Sequence, residues 1–288
     1  MWLPWQTAFQ VAVVLAVVLM ALVATRPSQR WLRVARLTVG ELVLMFTLYG
    51  IWQWVHERAV TETAGAIDRA HSLYRFEQAI GLPSELALQH AFLHNGVVMR
   101  FLDVYYGGMH VPAMGLLLVW LFWQHRDRYG RIRWTLALSI AGCLAIQTIP
   151  VAPPRFLPEL GFVDAGLMYH LSVYGPGGSG ISNELAAMPS LHVGWAVLVG
   201  VVAVTVGTSR WRWAVLAHPV LTVVAVVATA NHWWLDGVVA SMVLAAAYLV
   251  VRVVEAGARA VRVRWRAARP ADVPPPVEPA AVPELEPS

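Results

Sequence analysis

The chain has 288 residues, 58% of them hydrophobic and only 13% charged, with 14 Trp and a mean hydropathy of +0.58. Soluble domains carry roughly 25% charged residues, so this balance fits a polytopic membrane protein and sets aside a soluble globular enzyme. A single cysteine, Cys143, leaves no intramolecular disulfide framework and no Cys-based zinc site, and the basic residues are all Arg, clustered between apolar runs, which reads as membrane orientation rather than as a nucleic-acid-binding stripe.

A bilayer core needs about 20 mostly apolar residues per helix. Seven stretches qualify in chain order: Thr7–Thr25, Leu37–Val55, Asp103–Trp123, Trp134–Pro150, Leu191–Gly207, Trp213–Thr229 and Trp233–Val251. The first has no basic segment ahead of it, and Arg26-Pro-Ser-Gln-Arg30 follows it in place of a small-residue cleavage motif, so it is kept as a span rather than a signal peptide. The connections Arg26–Arg36, His125–Arg133, Thr208–Arg212 and Arg252–Arg269 together hold 16 Arg, against five in the alternate set (Arg58, Arg69, Arg75, Arg100 and Arg155). The positive-inside rule then places the N-terminus outside and the C-terminus in the cytoplasm. All-Arg basicity further suggests a high-GC bacterial genome and hence a bacterial plasma membrane.

The expected architecture is an all-α integral membrane bundle of about seven transmembrane helices. Residues 1–36 form an N-terminal helix and an Arg-rich cytoplasmic loop, residues 37–255 the main membrane domain, and residues 256–288 an Arg-rich and then Pro/Glu-rich tail. Seven Pro and four acidic residues in the last 19 positions mark that tail as disordered. Two outer segments are long. His56–Leu102 contains an imperfect amphipathic pattern around Ile67–Ile80, which suits either a helix lying in the outer interface or one packed on the end of the bundle. Val151–Ser190 carries Tyr174-Gly-Pro-Gly-Gly-Ser-Gly180, a Gly-rich run without the Lys of a P-loop, read as a lid or plain loop.

Ionisable residues at membrane depth are costly and point to function. Three short patterns share the outer end: Ala152-Pro-Pro-Arg155, Met188-Pro-Ser-Leu-His192 and Asn231-His232-Trp-Trp-Leu-Asp236. In a helix, residues four apart lie ~5–6 Å from each other on one face. Asp236 can therefore accept a hydrogen bond from one ring nitrogen of His232 and leave the other outward as a nucleophile. Ser190 is a plausible N-cap for the helix that His192 opens, and free amides there favour an anion such as phosphate. Arg155 can add a bidentate contact to the same phosphate, and His192, facing His232 across it, can protonate a leaving oxygen. Asp103, Tyr106 and His110 open the third span; Asp103 and His110, seven apart, share a face and suit either an acceptor headgroup or helix–helix hydrogen bonding.

Pro-Ser-x-His followed by His-x3-Asp, each at an outer helix end, resembles the type-2 phosphatidic-acid phosphatase superfamily. Within it, Ala-Pro-Pro-Arg155, Pro-Ser-Leu-His192 and Asn-His-Trp-Trp-Leu-Asp236 are most similar to the branch containing inositol-phosphoceramide synthases. Phe76-Glu-Gln-Ala-Ile-Gly-Leu82 and Glu85-Leu-Ala-Leu-Gln89 resemble bacterial members of that branch. The likeness runs from about Ala64 to Ala247. It implies a six-helix core with one extra N-terminal helix and a metal-independent, cofactor-free phosphotransferase or phosphatase. His232 would be the nucleophile that becomes phosphohistidine, Asp236 its orienting acid, His192 the general acid and base, and Ser190 and Arg155 the phosphate holders. The sequence departs from the superfamily's pattern at Thr148, where a Lys is usual, at Phe156 in place of Pro, and at Ala225 and Val226, where Ser-Arg is usual. Two cations are thereby lost, which a dianionic monoester would miss more than a monoanionic diester.

The resulting expectation is an enzyme at the extracytoplasmic face that transfers a phospho-headgroup of inositol-phosphate type between lipids. A lipid-phosphate monoester phosphatase, acting on phosphatidic acid or a polyprenyl phosphate, is the alternative. A transporter with a His/Asp proton relay, or a zinc site made of His192, His232 and Asp236, are readings of other classes. The expected partners are a lipid phosphate and the bilayer, with no nucleic acid.

Overall fold

The computed structural model describes residues 3–24, 29–59, 65–170, 185 and 187–267. The Gly-rich run 174–180 and the tail from residue 268 lie outside them. The described residues form helices α1 (Trp5–Ala24), α2 (Arg30–Ala59), α3 (Ala66–Ala79), α4 (Glu85–Leu93), α5 (Gly96–Gly108), α6 (His110–Gln124), α7 (Arg126–Gln147), the single turn α8 (Ala165–Met168), α9 (Leu191–Val206), α10 (Ala217–Ala228) and α11 (Trp234–Ala267). Short 3-10 turns cover Pro154–Phe156, Pro158–Leu160 and Arg210–Leu216.

Each apolar stretch picked out by hydropathy is helical over most of its described residues. Among the described residues, four helical segments are long and apolar enough to cross a bilayer: Trp5–Ala24, Trp31–Trp54, Arg210–Ala228 and Trp234–Trp265. A fifth is reached if α5 and α6 count as one bent span. α9 is apolar but has only 16 residues, and the apolar part of α7 is short because four Arg occupy its first two turns. The protein is therefore a multi-pass helical membrane protein.

Three boundaries differ from the hydropathy reading. α2 begins at Arg30, so Arg33 and Arg36 lie inside a helix rather than in a loop. α11 continues to Ala267 and carries the first Arg of the expected tail on helix. The third apolar stretch is preceded by seven further helical residues and bends by 46° between Gly108 and His110. The bend has a local cause. Pro112 has no N–H to give the Gly108 carbonyl and its ring crowds that carbonyl, while Gly107 and Gly108 resist helix weakly. Asp103 and His110 consequently sit on two helices at an angle, not on one face of one helix.

α1 packs on α2, α2 on α7, and α7 on α11, while α9 sits among α6, α10 and α11. One apolar cluster fills the space between α6, α7, α9 and α11 around Leu121, Ile132, Leu198 and Leu244. A second joins α4, α5, α9 and α10 around Met99, Tyr106 and Val226. A third closes the end of the bundle: Ala66 and Ala70 of α3 meet Ala152, Leu157, Phe162, Ala230 and Trp233. The amphipathic segment of the sequence is thus α3, packed on the bundle end rather than lying free in an interface. Arg69 Nε donates to the Pro150 carbonyl (2.6 Å), and the backbone N–H of Ala152 donates to Ala66 O (3.1 Å), fastening it there.

Candidate active site

The three polar patterns converge at one end of the bundle. α10 ends in a tight turn whose Ala230 adopts φ = 54°, a left-handed conformation that costs a non-Gly residue roughly 1–2 kcal/mol. The turn makes the N–H groups of Asn231 and His232 both reach back to Val226 O (3.0 and 3.1 Å). It delivers His232 immediately ahead of α11. Asp236, in the first turn of α11 and fully buried, uses Oδ2 twice: it accepts from the Trp233 N–H (2.9 Å) and pairs with His232 Nδ1 (3.1 Å). A carboxylate only accepts, so Nδ1 carries the hydrogen and Nε2 presents its lone pair.

Ser190 caps α9 through Oγ, which accepts from Val193 N–H (3.4 Å), and its own N–H donates to the Asp236 carbonyl (3.1 Å). That bond ties the start of α9 to the first turn of α11 and brings the His192 ring to 5.9 Å from the His232 ring. The first apolar core pattern of each helix then continues the packing, with Val193 against Gly237 and Gly194 against Ala240.

The loop after α7 supplies the cation. Arg155 donates its backbone N–H to Ala230 O (3.0 Å) and its Nη1–H to Asn231 Oδ1, while its Nε faces Asp164 Oδ2 at 3.6 Å. Arg155 is 93% shielded, so its guanidinium is held for use inside the site rather than offered to lipid headgroups. Trp233 Nε1 donates to Ala152 O (2.9 Å), locking the same loop onto α11.

α5 and α6 wall the fourth side. The Tyr106 ring lies 4.4 Å from that of His192 and 6.2 Å from that of His232; the His110 ring lies 4.3 Å from that of His192. His110 Nδ1 is 3.2 Å from Tyr106 O. Asp103 is buried within electrostatic range of Arg155 and Asp164. The eight residues singled out from the sequence, His232, His192, Asp236, Arg155, Ser190, Asp103, His110 and Tyr106, therefore lie together at this end of the bundle, all of them buried except the half-buried His192.

Two participants carry no sequence signal of their own. Asn231 lies within the third pattern with nothing to mark a role, and Asp164 lies outside every pattern; both face Arg155 only through tertiary folding. The positions where the superfamily's cations are usual are not replaced in place. Ala225 and Val226 are buried in apolar packing, and Thr148 Oγ1 donates to Ala145 O (2.7 Å). Among the described residues no three His, Cys, Asp or Glu side chains converge to hold a metal ion. An apolar cavity of about 560 Å³ opens from Val193 and Trp233, the residues following the two histidines, and runs between α9, α10 and α11 along Val197, Val226, Val238 and Met242.

The described residues thus form a helical bundle with two facing histidines, one of them backed by an aspartate, and a buried arginine at one end. Residues 71–250 match the family model of the PAP2 superfamily, and the chain belongs to that superfamily. No curated protein and no solved structure matches the chain. Members of the superfamily are generally phosphatases, and membership points to a phosphatase or phosphotransferase of lipid phosphates.

Proposed function

We propose that the protein transfers a phospho-headgroup, of inositol-phosphate type, from a lipid donor to an acceptor hydroxyl at the extracytoplasmic face of a bacterial plasma membrane. The observation that carries this reading is the pairing of His232 Nδ1 with Asp236 at 3.1 Å, opposite the His192 ring.

In the first half-reaction His232 Nε2 attacks phosphorus while the bond to the donor lipid's oxygen breaks. His192 gives its proton to that oxygen, and a phosphohistidine forms whose positive ring is balanced by Asp236. In the second, His192 takes the proton of the acceptor hydroxyl, the freed oxygen attacks phosphorus, and the bond to His232 breaks. Arg155 and the N-terminal amides of α9, with Ser190 as its cap, hold the phosphoryl oxygens. Water as acceptor would make the same residues a phosphatase.

Charge balance favours a monoanionic diester. Arg155 already faces Asp164 and Asp103, and neither Thr148 nor Val226 contributes a cation. A phosphate dianion would meet two carboxylates around one guanidinium, whereas a diester carries a single charge and hydroxyls that carboxylates can bind. Asp103, His110 and Tyr106 line the side where such a headgroup or acceptor would sit. The apolar cavity beside the histidines suits an acyl chain of the donor.

The test uses the full-length protein in lipid vesicles with EDTA, supplied with labelled phosphatidylinositol and, separately, labelled phosphatidic acid. Phosphoinositol on a new acceptor with the wild type, absent in His232→Ala, is the expected result. Free phosphate released from phosphatidic acid alone would replace this reading by the monoester phosphatase. Loss of turnover on adding EDTA would overturn metal independence.

A further inference from the structure

α3 and α4 contain none of the three polar patterns, yet three of their polar side chains are completely buried: Glu77, Glu85 and Gln89. The amide of Gln89 is accounted for, since it donates to Val163 O (2.6 Å) and accepts from Val163 N–H (3.1 Å). The two glutamates pose a different problem. Glu77 Oε1 accepts the N–H of Leu235 at 2.8 Å, one residue before Asp236. Glu77 Oε2 and both carboxyl oxygens of Glu85 are buried with no N–H or O–H from a neighbour. The two carboxyls interact with each other, and Asp236 adds a third negative group from α11.

Two adjacent carboxylates out of water cannot both ionise cheaply, and one proton between them removes the conflict. Burial above all, then the hydrogen bond to Glu85, raises the Glu77 carboxyl to about 9, against the opposing pull of Leu235 N–H. The proton therefore belongs on Glu77.

We infer that Glu77 is a positioning residue for the nucleophile: as a neutral acid it donates from Oε2 to the Glu85 carboxylate and accepts Leu235 N–H at Oε1, fixing the first turn of α11 and with it the His232–Asp236 pair. A second grip runs in parallel, with Trp234 Nε1 donating to Pro83 O at 2.7 Å, in the link between α3 and α4. The Leu235 bond satisfies a backbone donor in the first turn of α11, where no intrahelical partner exists, and the Trp234 bond adds a side-chain tie beside it. An ionised Glu77 would place an additional charge against Asp236 and Glu85 and loosen the turn it holds. The inference rests on the reading of His232 as nucleophile.

The experiment follows kcat and KM of the full-length protein in vesicles from pH 6 to 10, on whichever of phosphatidylinositol and phosphatidic acid it turns over. Glu77→Gln keeps both bonds, because its amide NH2 donates to Glu85 and its carbonyl accepts Leu235 N–H. It is expected to retain wild-type kcat at neutral pH and to lack the alkaline fall in rate expected of the wild type, whose Glu77 carboxyl is raised to about 9. Glu77→Ala is expected to lower kcat about 10- to 100-fold, the cost of displacing a reacting group by a fraction of an ångström to an ångström, with KM little changed. Glu77→Gln as impaired as Glu77→Ala, or an alkaline fall that survives in Glu77→Gln, overturns the inference. So does an unchanged kcat in Glu77→Ala. Should Glu77→Ala not fold, the pH profile of Glu77→Gln decides alone. Activity that persists in His232→Ala would instead count against the nucleophile reading, so the two failures are told apart.

Discussion

Asp236 joins the two histidine motifs through three separate bonds. Oδ2 accepts from Trp233 N–H and from His232 Nδ1, and its carbonyl accepts Ser190 N–H. Asp236→Ala removes the one oxygen that accepts both from Trp233 N–H and from His232 Nδ1, so nothing holds the ring hydrogen on Nδ1 and the Nε2 lone pair toward the site. Turnover should fall on the order of a thousandfold or more, as for comparable losses of an orienting carboxylate, and the orphaned Trp233 N–H should cost about 1–3 kcal/mol of stability. A variant that turns over like the wild type would show that His232 is not the attacking group. This pair was legible in the sequence because it is local: four residues on a helix are neighbours whatever the rest of the chain does. Asn231 and Asp164 were not, because their bond and ion pair to Arg155 span 76 and nine residues and depend on how the loop after α7 lands on the turn before α11. Glu77 was hidden for the same reason, since nothing local in Phe76–Leu82 indicates that its carboxyl will reach Leu235.

Between elements, the separation of the two histidines is set by how closely α9 and α11 approach. Val193, the residue after His192, meets Gly237, the residue after Asp236. A Cβ on Gly237 would lie 3.1 Å from Val193 Cγ1, closer than ordinary packing. Small residues at such crossings let helix backbones come near each other inside a membrane. Gly237→Ala should push the two helix starts apart by a few tenths of an ångström, lowering kcat several-fold with KM unchanged. Val193→Ala removes the opposing methyl groups, and adding it to Gly237→Ala should restore part of the lost rate, a coupling that a double-mutant cycle measures. Additive losses would place the cause elsewhere. The helices themselves could be read from hydropathy, since each apolar stretch is helical over most of its described residues. Their ends could not be read that way. Apolarity stops at the bilayer surface, while helices continue as far as hydrogen bonding and packing support them, as α2 does back to Arg30 and α11 on to Ala267. The bend between α5 and α6 was likewise invisible to a hydropathy average, although Pro112 behind Gly107-Gly108 is its chemical cause.

Across the whole molecule, charge is divided between the two ends of the bundle. The site, with α3, α4 and the loop after α7, occupies the end where α7 finishes and α9 and α11 begin. The Arg-rich end lies where α7 begins and α11 finishes, and there Arg133 pairs with Glu41 of α2 (2.5 Å) and Arg131 with Glu255 of α11 (2.8 Å). α7 spans about 33 Å and α11 about 51 Å at 1.5 Å per residue, against a hydrocarbon core of ~30 Å, so the two ends lie on opposite sides of any bilayer these helices cross. The excess of Arg supports our proposal that the Arg-rich end faces the cytoplasm and the histidines the outside. Cys143 is buried in α7, which makes single-cysteine labelling practical after Cys143→Ala. In intact cells, a membrane-impermeant maleimide should label Gln78→Cys, exposed on α3, and should reach Thr208→Cys, exposed between α9 and the Arg210–Leu216 turn, only after permeabilisation. The reverse pattern would turn the molecule over and bring its substrate from the cytoplasmic leaflet. Labelling of both sites in intact cells would mean that the two ends are not separated by the membrane, and the bundle would then need a different axis.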